Sequence, residues 1–133
     1  MRRLSLALAA TALVATAGIA ATRSGQDEAQ HDLAKALAGH VAGKTVECID
    51  PKMVDGPQII DHQTLLYRNG GTIYRAHIIG PCPSLEEGVT VINDIYGGQL
   101  CRNDKFRTLT PGETIPSAYC RLGNFTEYKP VGK

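Results

Sequence analysis

Tryptophan is absent from this 133-residue chain, phenylalanine occurs twice, and aromatic residues make up 5% of it. The core must therefore be filled mainly by aliphatic side chains. No charge of one sign predominates either: 14 basic residues stand against 13 acidic ones, a formal net charge of +1. Such a chain has no overall field to draw it to nucleic acid or to anionic lipid. Its four cysteines form no C-x-x-C pair, which removes the basis for a zinc ribbon or a thioredoxin-like redox site. No G-x-S-x-G elbow, H-x-H or H-x-x-x-H occurs, so the nucleophile elbow and the short-spaced metal motifs are missing as well. Internal repeats and low-complexity tracts are also lacking.

What is present begins with an export signal. Met1-Arg2-Arg3 supplies a positive start, and Leu4 to Thr22 carries no charge. Small residues close the run at Ala15-Thr16-Ala17 and Gly18-Ile19-Ala20. That order reads as a signal peptide over 1–20, cleaved after Ala17 or Ala20. A retained membrane anchor is the competing reading, because the run nearly reaches spanning length; its Ala, Thr and Gly content argues against that. The first cysteine, Cys48, lies too far on to be a lipoprotein acylation site. The expected location is periplasmic or secreted. Loss of Arg2 and Arg3 leaves 12 basic residues against 13 acidic, a net charge of −1.

In an oxidising compartment, Cys48, Cys82, Cys101 and Cys120 read as two structural disulfides. Three pairings exist and the sequence does not choose between them. The nested one, Cys82–Cys101 inside Cys48–Cys120, is favoured here because it joins the first strand to the last and staples one hairpin. Loop entropy assigns about 3 kcal/mol to the short loop and roughly 4 to 5 kcal/mol to the long one. In a mature domain of about 110 residues that is a large share of the stability.

The hydrophobic period divides the remainder. From Ser24 to Val41 the apolar residues Ala29, Leu33, Ala36, Leu37 and Val41 fall at helical spacing, with Ser24 as cap and Gly43 as stop. An N-terminal helix is therefore expected within 21–44. Beyond Lys44 the pattern alternates, giving strands at Thr45–Ile49, Ile59–Asp61, Thr64–Arg68 and Thr72–Ile79. Asp55-Gly56-Pro57 reads as a loop. Asn69-Gly70-Gly71 is a strong hairpin signal, since Asn-Gly supplies the positive φ angles of a primed turn. Ser84–Glu87 reads as a short helical turn. Further strands follow at Val89–Ile92, Gln99–Cys101, Lys105–Leu109 and Tyr119–Leu122, with Phe125–Tyr128 as an edge strand. The whole describes a mainly β domain over 45–133, a small antiparallel barrel or sandwich of six or seven short strands.

Several stretches carry a resemblance. They are Ala38-Gly39-His40-Val41-Ala42-Gly43-Lys44 leading to Cys48-Ile49, Ile59-Ile60-Asp61 with Leu66-Tyr67, Gln99-Leu100-Cys101 with Asp104, and Leu122-Gly123-Asn124-Phe125 with Tyr128. Together they resemble small exported proteins of sphingomonad-like α-proteobacteria, a family with no assigned activity. The resemblance implies an exported single domain and carries over no catalytic residue.

The candidates for chemistry are few. His62 and His77 could approach across the hairpin region beside Asp61, but no third ligand is evident; His31 and His40, nine apart, face different ways. Neither a metal nor any other cofactor is expected. Asp50, Asp61, Asp94, Asp104, Glu86 and Glu87 sit among turn residues, where carboxylates usually cap turns. Arginines are more suggestive: Arg68, Arg75, Arg102, Arg107 and Arg121. Arg75 and His77 share the outward face of their strand, with Arg68 just before the turn, and together they could form a basic strip. The expectation is a monomeric, non-catalytic envelope protein that binds a protein partner or a cell-envelope polymer through Arg68, Arg75, His77 and His62. A small-ligand or metal carrier and a minor hydrolase are the alternatives.

Overall fold

The change of hydrophobic period in the sequence becomes a change from helix to sheet. The computed structural model describes residues 17–132, with side chains from Arg23 onward. Most of the expected signal segment, residues 1–16, lies outside the described residues. Helix α1 (Ala17–Ala36) is followed by β1 (His40–Val46), β2 (Cys48–Ile49), β3 (Asp55–Asp61), β4 (Thr64–Asn69) and β5 (Thr72–Ile79). Then come β6 (Thr90–Asn93), β7 (Leu100–Cys101), β8 (Lys105–Leu109) and β9 (Cys120–Pro130). No helix among the described residues is long and apolar enough to cross a membrane.

Six strands in the order β3-β4-β5-β9-β8-β6 form a near-closed antiparallel barrel, and β2 pairs with β7 in a small separate sheet. The long β9 organises the rest. On one edge it pairs with β5 from Arg121 to Tyr128. Its other edge is shared: β8 takes Cys120 and Arg121, and β1 takes Phe125 to Pro130. Between them the β7–β8 turn fills the gap, as Asn103 N–H donates to Leu122 O (2.8 Å) and Leu122 N–H to Asp104 O (3.0 Å).

Strand alternation then fills two cores. Leu65, Tyr67, Ala76, Ile78, Phe106, Leu122 and Phe125 point into the barrel and are buried. Tyr67 meets Phe125 edge-on with ring centroids 6.0 Å apart. On the outer face of the same strands, Leu66 and Ile73 are buried against Leu33 of α1. The helical stripe expected from the sequence is thus in place, on a sheet face that would otherwise be wet.

Several boundaries differ from the sequence reading. The helix ends at Ala36, and residues 40–46 form β1 rather than a helix extending to 44, because the edge of β9 offers His40–Val46 a ladder. Ser24 lies inside the helix and does not cap it. Asp55-Gly56-Pro57 belongs to β3, with a shift of register that accommodates the proline. The hairpin turn is Gly70-Gly71, with Asn69 paired to Thr72, one residue beyond the Asn-Gly step. Only Gly70 has positive φ, 55°, which fits a II′ turn with glycine first. Ser84–Glu87 makes turns and no helix. The segments read as Tyr119–Leu122 and an edge strand at Phe125–Tyr128 are one interior strand, β9.

The disulfide pairing also requires correction. The bonds are Cys48–Cys101 and Cys82–Cys120, not the nested Cys48–Cys120 and Cys82–Cys101. Cys48 and Cys101 are direct partners in the β2·β7 ladder, so register brings them together. Cys82, in the segment after β5, meets Cys120 at the start of β9, and both are buried. Topology decides what chain entropy does not.

Candidate functional site

The residues expected to form a binding strip are only partly assembled. In the β4·β5 register Arg68 stands opposite Ile73, Arg75 opposite Leu66, and His77 opposite Thr64. Arg68, Arg75 and His77 therefore share the outer face, but the buried pair Leu66 and Ile73 lies among them under α1. Arg75 is half-buried, and Arg68 donates from Nη2 to Gln58 Oε1 at 3.2 Å. His62 is turned elsewhere: its Nδ1 lies 2.8 Å from Leu85 O, a bond that ties the β3–β4 turn to the loop after β5. Asp61 accepts from Gln63 N–H at 2.8 Å and so serves the turn. No group of three or more His, Cys, Asp or Glu side chains among the described residues is arranged to hold a metal ion.

Carboxylates gather at one groove, an open cavity of about 430 Å³ lined in part by Glu86, Glu87, Glu113, Thr108 and Ser117. All three glutamates are exposed. Division of labour between an acid and a base needs contrasting environments, and these three share one. Asp104 is a turn residue, accepting from Cys101 N–H at 2.7 Å. A second cavity, about 300 Å³, opens at one end of the barrel between Lys44, Val46, Ile49, Val54, Tyr74 and the buried Glu127. Glu127 Oε2 lies 3.3 Å from Lys129 Nζ.

A different surface gathers unpaired positive charge. Lys105 is the register partner of Arg121, which is in turn the partner of Ile79. Since Phe106 opposes Cys120 inside the barrel, alternation puts Lys105, Arg107, Tyr119 and Arg121 together on the outer face. Tyr119 is half exposed. The Arg107 guanidinium lies over its ring at 4.8 Å and Lys105 Nζ at 5.5 Å, both within cation–π range. Arg107 Nε is buried with no acceptor among the described residues. None of the three cations belongs to an ion pair among the described residues, where His31–Asp32 and Lys129–Glu127 are formed. Asp94 N–H donates to Lys105 O at 2.9 Å, and the Asp94 carboxylate belongs to no ion pair among the described residues.

Sequence reasoning singled out Arg107 and Arg121 but missed Lys105 and Tyr119. The signal was the K-x-R spacing of Lys105 and Arg107 on a predicted strand, matched by the Y-x-R spacing of Tyr119 and Arg121 on another. Only the β8·β9 register shows that the two coincide.

These features define a small, disulfide-braced β-barrel protein with a basic, aromatic outer face. No family model, curated protein or solved structure matches the chain.

Proposed function

We propose that this is an exported, non-catalytic recognition protein of a bacterial envelope, which binds an anionic partner through the outer face of β8 and β9. One observation carries the reading: Lys105 and Arg107 lie over the Tyr119 ring, and Arg121 is the register partner of Lys105, on an outer sheet face where none of the three has a carboxylate partner among the described residues. Unpaired cations cost a folded protein little at its surface and are free to meet an opposite charge. The barrel and its two disulfides hold them in place, so little ordering entropy is lost on binding. The N-terminal signal pattern and the paired cysteines support an extracytoplasmic site of action.

In-cell crosslinking of the full chain tests this reading. Wild type should capture a recurrent envelope partner, and the Lys105→Glu/Arg121→Glu double variant should lose it. Capture that survives the double variant removes this face from the function.

The barrel-mouth cavity favours a second reading, a small-ligand carrier. Its walls mix Val46, Ile49, Met53, Val54 and Tyr74 with the polar Lys44, Asp50 and Asn69, and its one buried carboxylate, Glu127, would fix a ligand's orientation. Soaking with a library of small amines, read by chemical shifts at Val46 and Tyr74, tests it.

A further inference from the structure

Resting on the recognition reading above, we propose that the charges met by the β8–β9 face are phosphate groups carried on an extended polymer. The first argument is shape. Lys105, Arg107, Tyr119 and Arg121 line none of the cavities of about 430, 300 and 220 Å³ described among these residues. Small ligands are held in concave sites that bury most of their surface, whereas this face is an exposed part of a sheet. A ligand that lies across it gains affinity only by repeating its charges, as a polymer does.

The second argument is charge density. Lys105 and Arg121 are direct cross-strand partners, which sets their backbones about 4.8 Å apart. Arg107 is two residues from Lys105 on β8, roughly 6.7 Å along the strand. The backbone positions that carry the three positive charges thus occupy a block one strand spacing by one two-residue repeat. A side-chain carboxylate offers one negative charge and two oxygens, enough for one guanidinium fork. A unit inside a phosphate polymer also carries one charge and two free oxygens, but on the backbone itself, so successive charges are held close together and can meet three cations that no ion pair among the described residues neutralises.

The third argument concerns Arg107. Its guanidinium is stacked on Tyr119 at 4.8 Å and its Nε is covered without an acceptor. The stack fixes the plane of the fork, so its outer nitrogens are oriented before a ligand arrives. Planar, stacked arginine is the side chain suited to bidentate recognition of phosphate oxygens.

The probe is linear polyphosphate, titrated into the purified full-length mature protein, with poly-glutamate of equal charge as comparison. Three contacted phosphates predict that log K falls with log salt at a slope of about −2. Lys105→Glu/Arg121→Glu should weaken binding at least tenfold, and Tyr119→Ala severalfold, with melting temperatures unchanged. Lys52→Glu, which reverses one charge in an exposed loop, should leave it as it was. Poly-glutamate binding as tightly as polyphosphate would overturn the phosphate assignment. So would an absence of polyphosphate binding by a protein that still captures its partner through Lys105 and Arg121 in cells, a result that leaves the recognition reading intact. If in-cell capture is insensitive to those residues, the recognition reading itself falls.

Discussion

A Cβ placed on Gly123 would stand 2.6 Å from the backbone carbonyl oxygen of His77. The approach occurs where the β5·β9 register shifts between Ala76 and Ile78. A bulge there lets β9 continue past the disturbance, so its two halves remain one strand. Only glycine allows the two backbones so close. Gly123→Ala must push β5 and β9 apart at the centre of the barrel, and should cost about 1–3 kcal/mol, the range for overpacking. Urea denaturation would show this as a lower midpoint with an unchanged slope. An unchanged midpoint would mean that the strands separate there at no cost.

The disulfides should differ in what they contribute. Their loops span 53 residues for Cys48–Cys101 and 38 for Cys82–Cys120, so chain entropy assigns each about 4 kcal/mol. Burial separates them: Cys82 and Cys120 belong to the barrel core, whereas Cys48 and Cys101 are half-buried. Cys82→Ala/Cys120→Ala should therefore destabilise more than Cys48→Ala/Cys101→Ala, by about 1 kcal/mol or more from lost packing. Non-reducing peptide mapping should recover the Cys48–Cys101 and Cys82–Cys120 peptides, and nested peptides would contradict the fold.

Tyr67 carries a pH dependence. Its hydroxyl is buried and turned toward Asn93 without reaching hydrogen-bond geometry, and neither Tyr67 Oη nor Asn93 Oδ1 has a partner. Burial raises the phenol above its ordinary value, outweighing the opposite influence of Asn93. Unfolded tyrosine titrates near pH 10. Below that pH both states hold the proton and stability is flat. Above it the unfolded chain loses a proton that the folded chain keeps, so stability falls as pH rises. Tyr67→Phe should reduce this alkaline loss. At pH 7 it should leave stability equal or raise it by about 1 kcal/mol, because an unpartnered buried hydroxyl is removed. Denaturation of both proteins at pH 7 and pH 10.5 decides it, and a clear loss at pH 7 would show that the hydroxyl is bonded.

The fold was legible where local chemistry and tertiary structure agree. Lys105–Leu109 and the hairpin around Gly70 follow from alternation and turn residues that the barrel only confirms. The mistakes arose where a distant partner overrides a local signal. His40–Lys44 falls within the expected helix, yet β9 captures it as part of a strand. Gly123-Asn124 looks like a break, yet the close approach to His77 makes glycine a requirement of continuity. The cysteine pairing depends on β2 meeting β7, a contact between two-residue strands that no local pattern announces. The site was obscured for the same reason. Lys105 and Tyr119 are unremarkable apart and meet only through the pairing of Phe106 with Cys120.

The outer face of β4 and β5 owes its character to one helical side chain, which leads to a last prediction. Leu66 and Ile73 are fully buried although they point away from the barrel interior, because Leu33 of α1 covers them with help from Ala36 and Leu37. Leu33→Ala should cost about 2 kcal/mol, the low end for leucine, since this cluster is small and borders solvent. Leu33→Asp should do more and in a different way. A carboxylate cannot remain in that contact, so α1 should leave the sheet, exposing Leu66 and Ile73. The inner core, from Ile49 to Phe125, contains no residue of the helix. Hydrogen exchange in Leu33→Asp should therefore keep β5 and β9 protected while α1 loses protection, and a hydrophobic dye should bind. The basic face of β8 and β9 should retain its ligand. Loss of protection throughout would mean that helix and barrel fold as one unit.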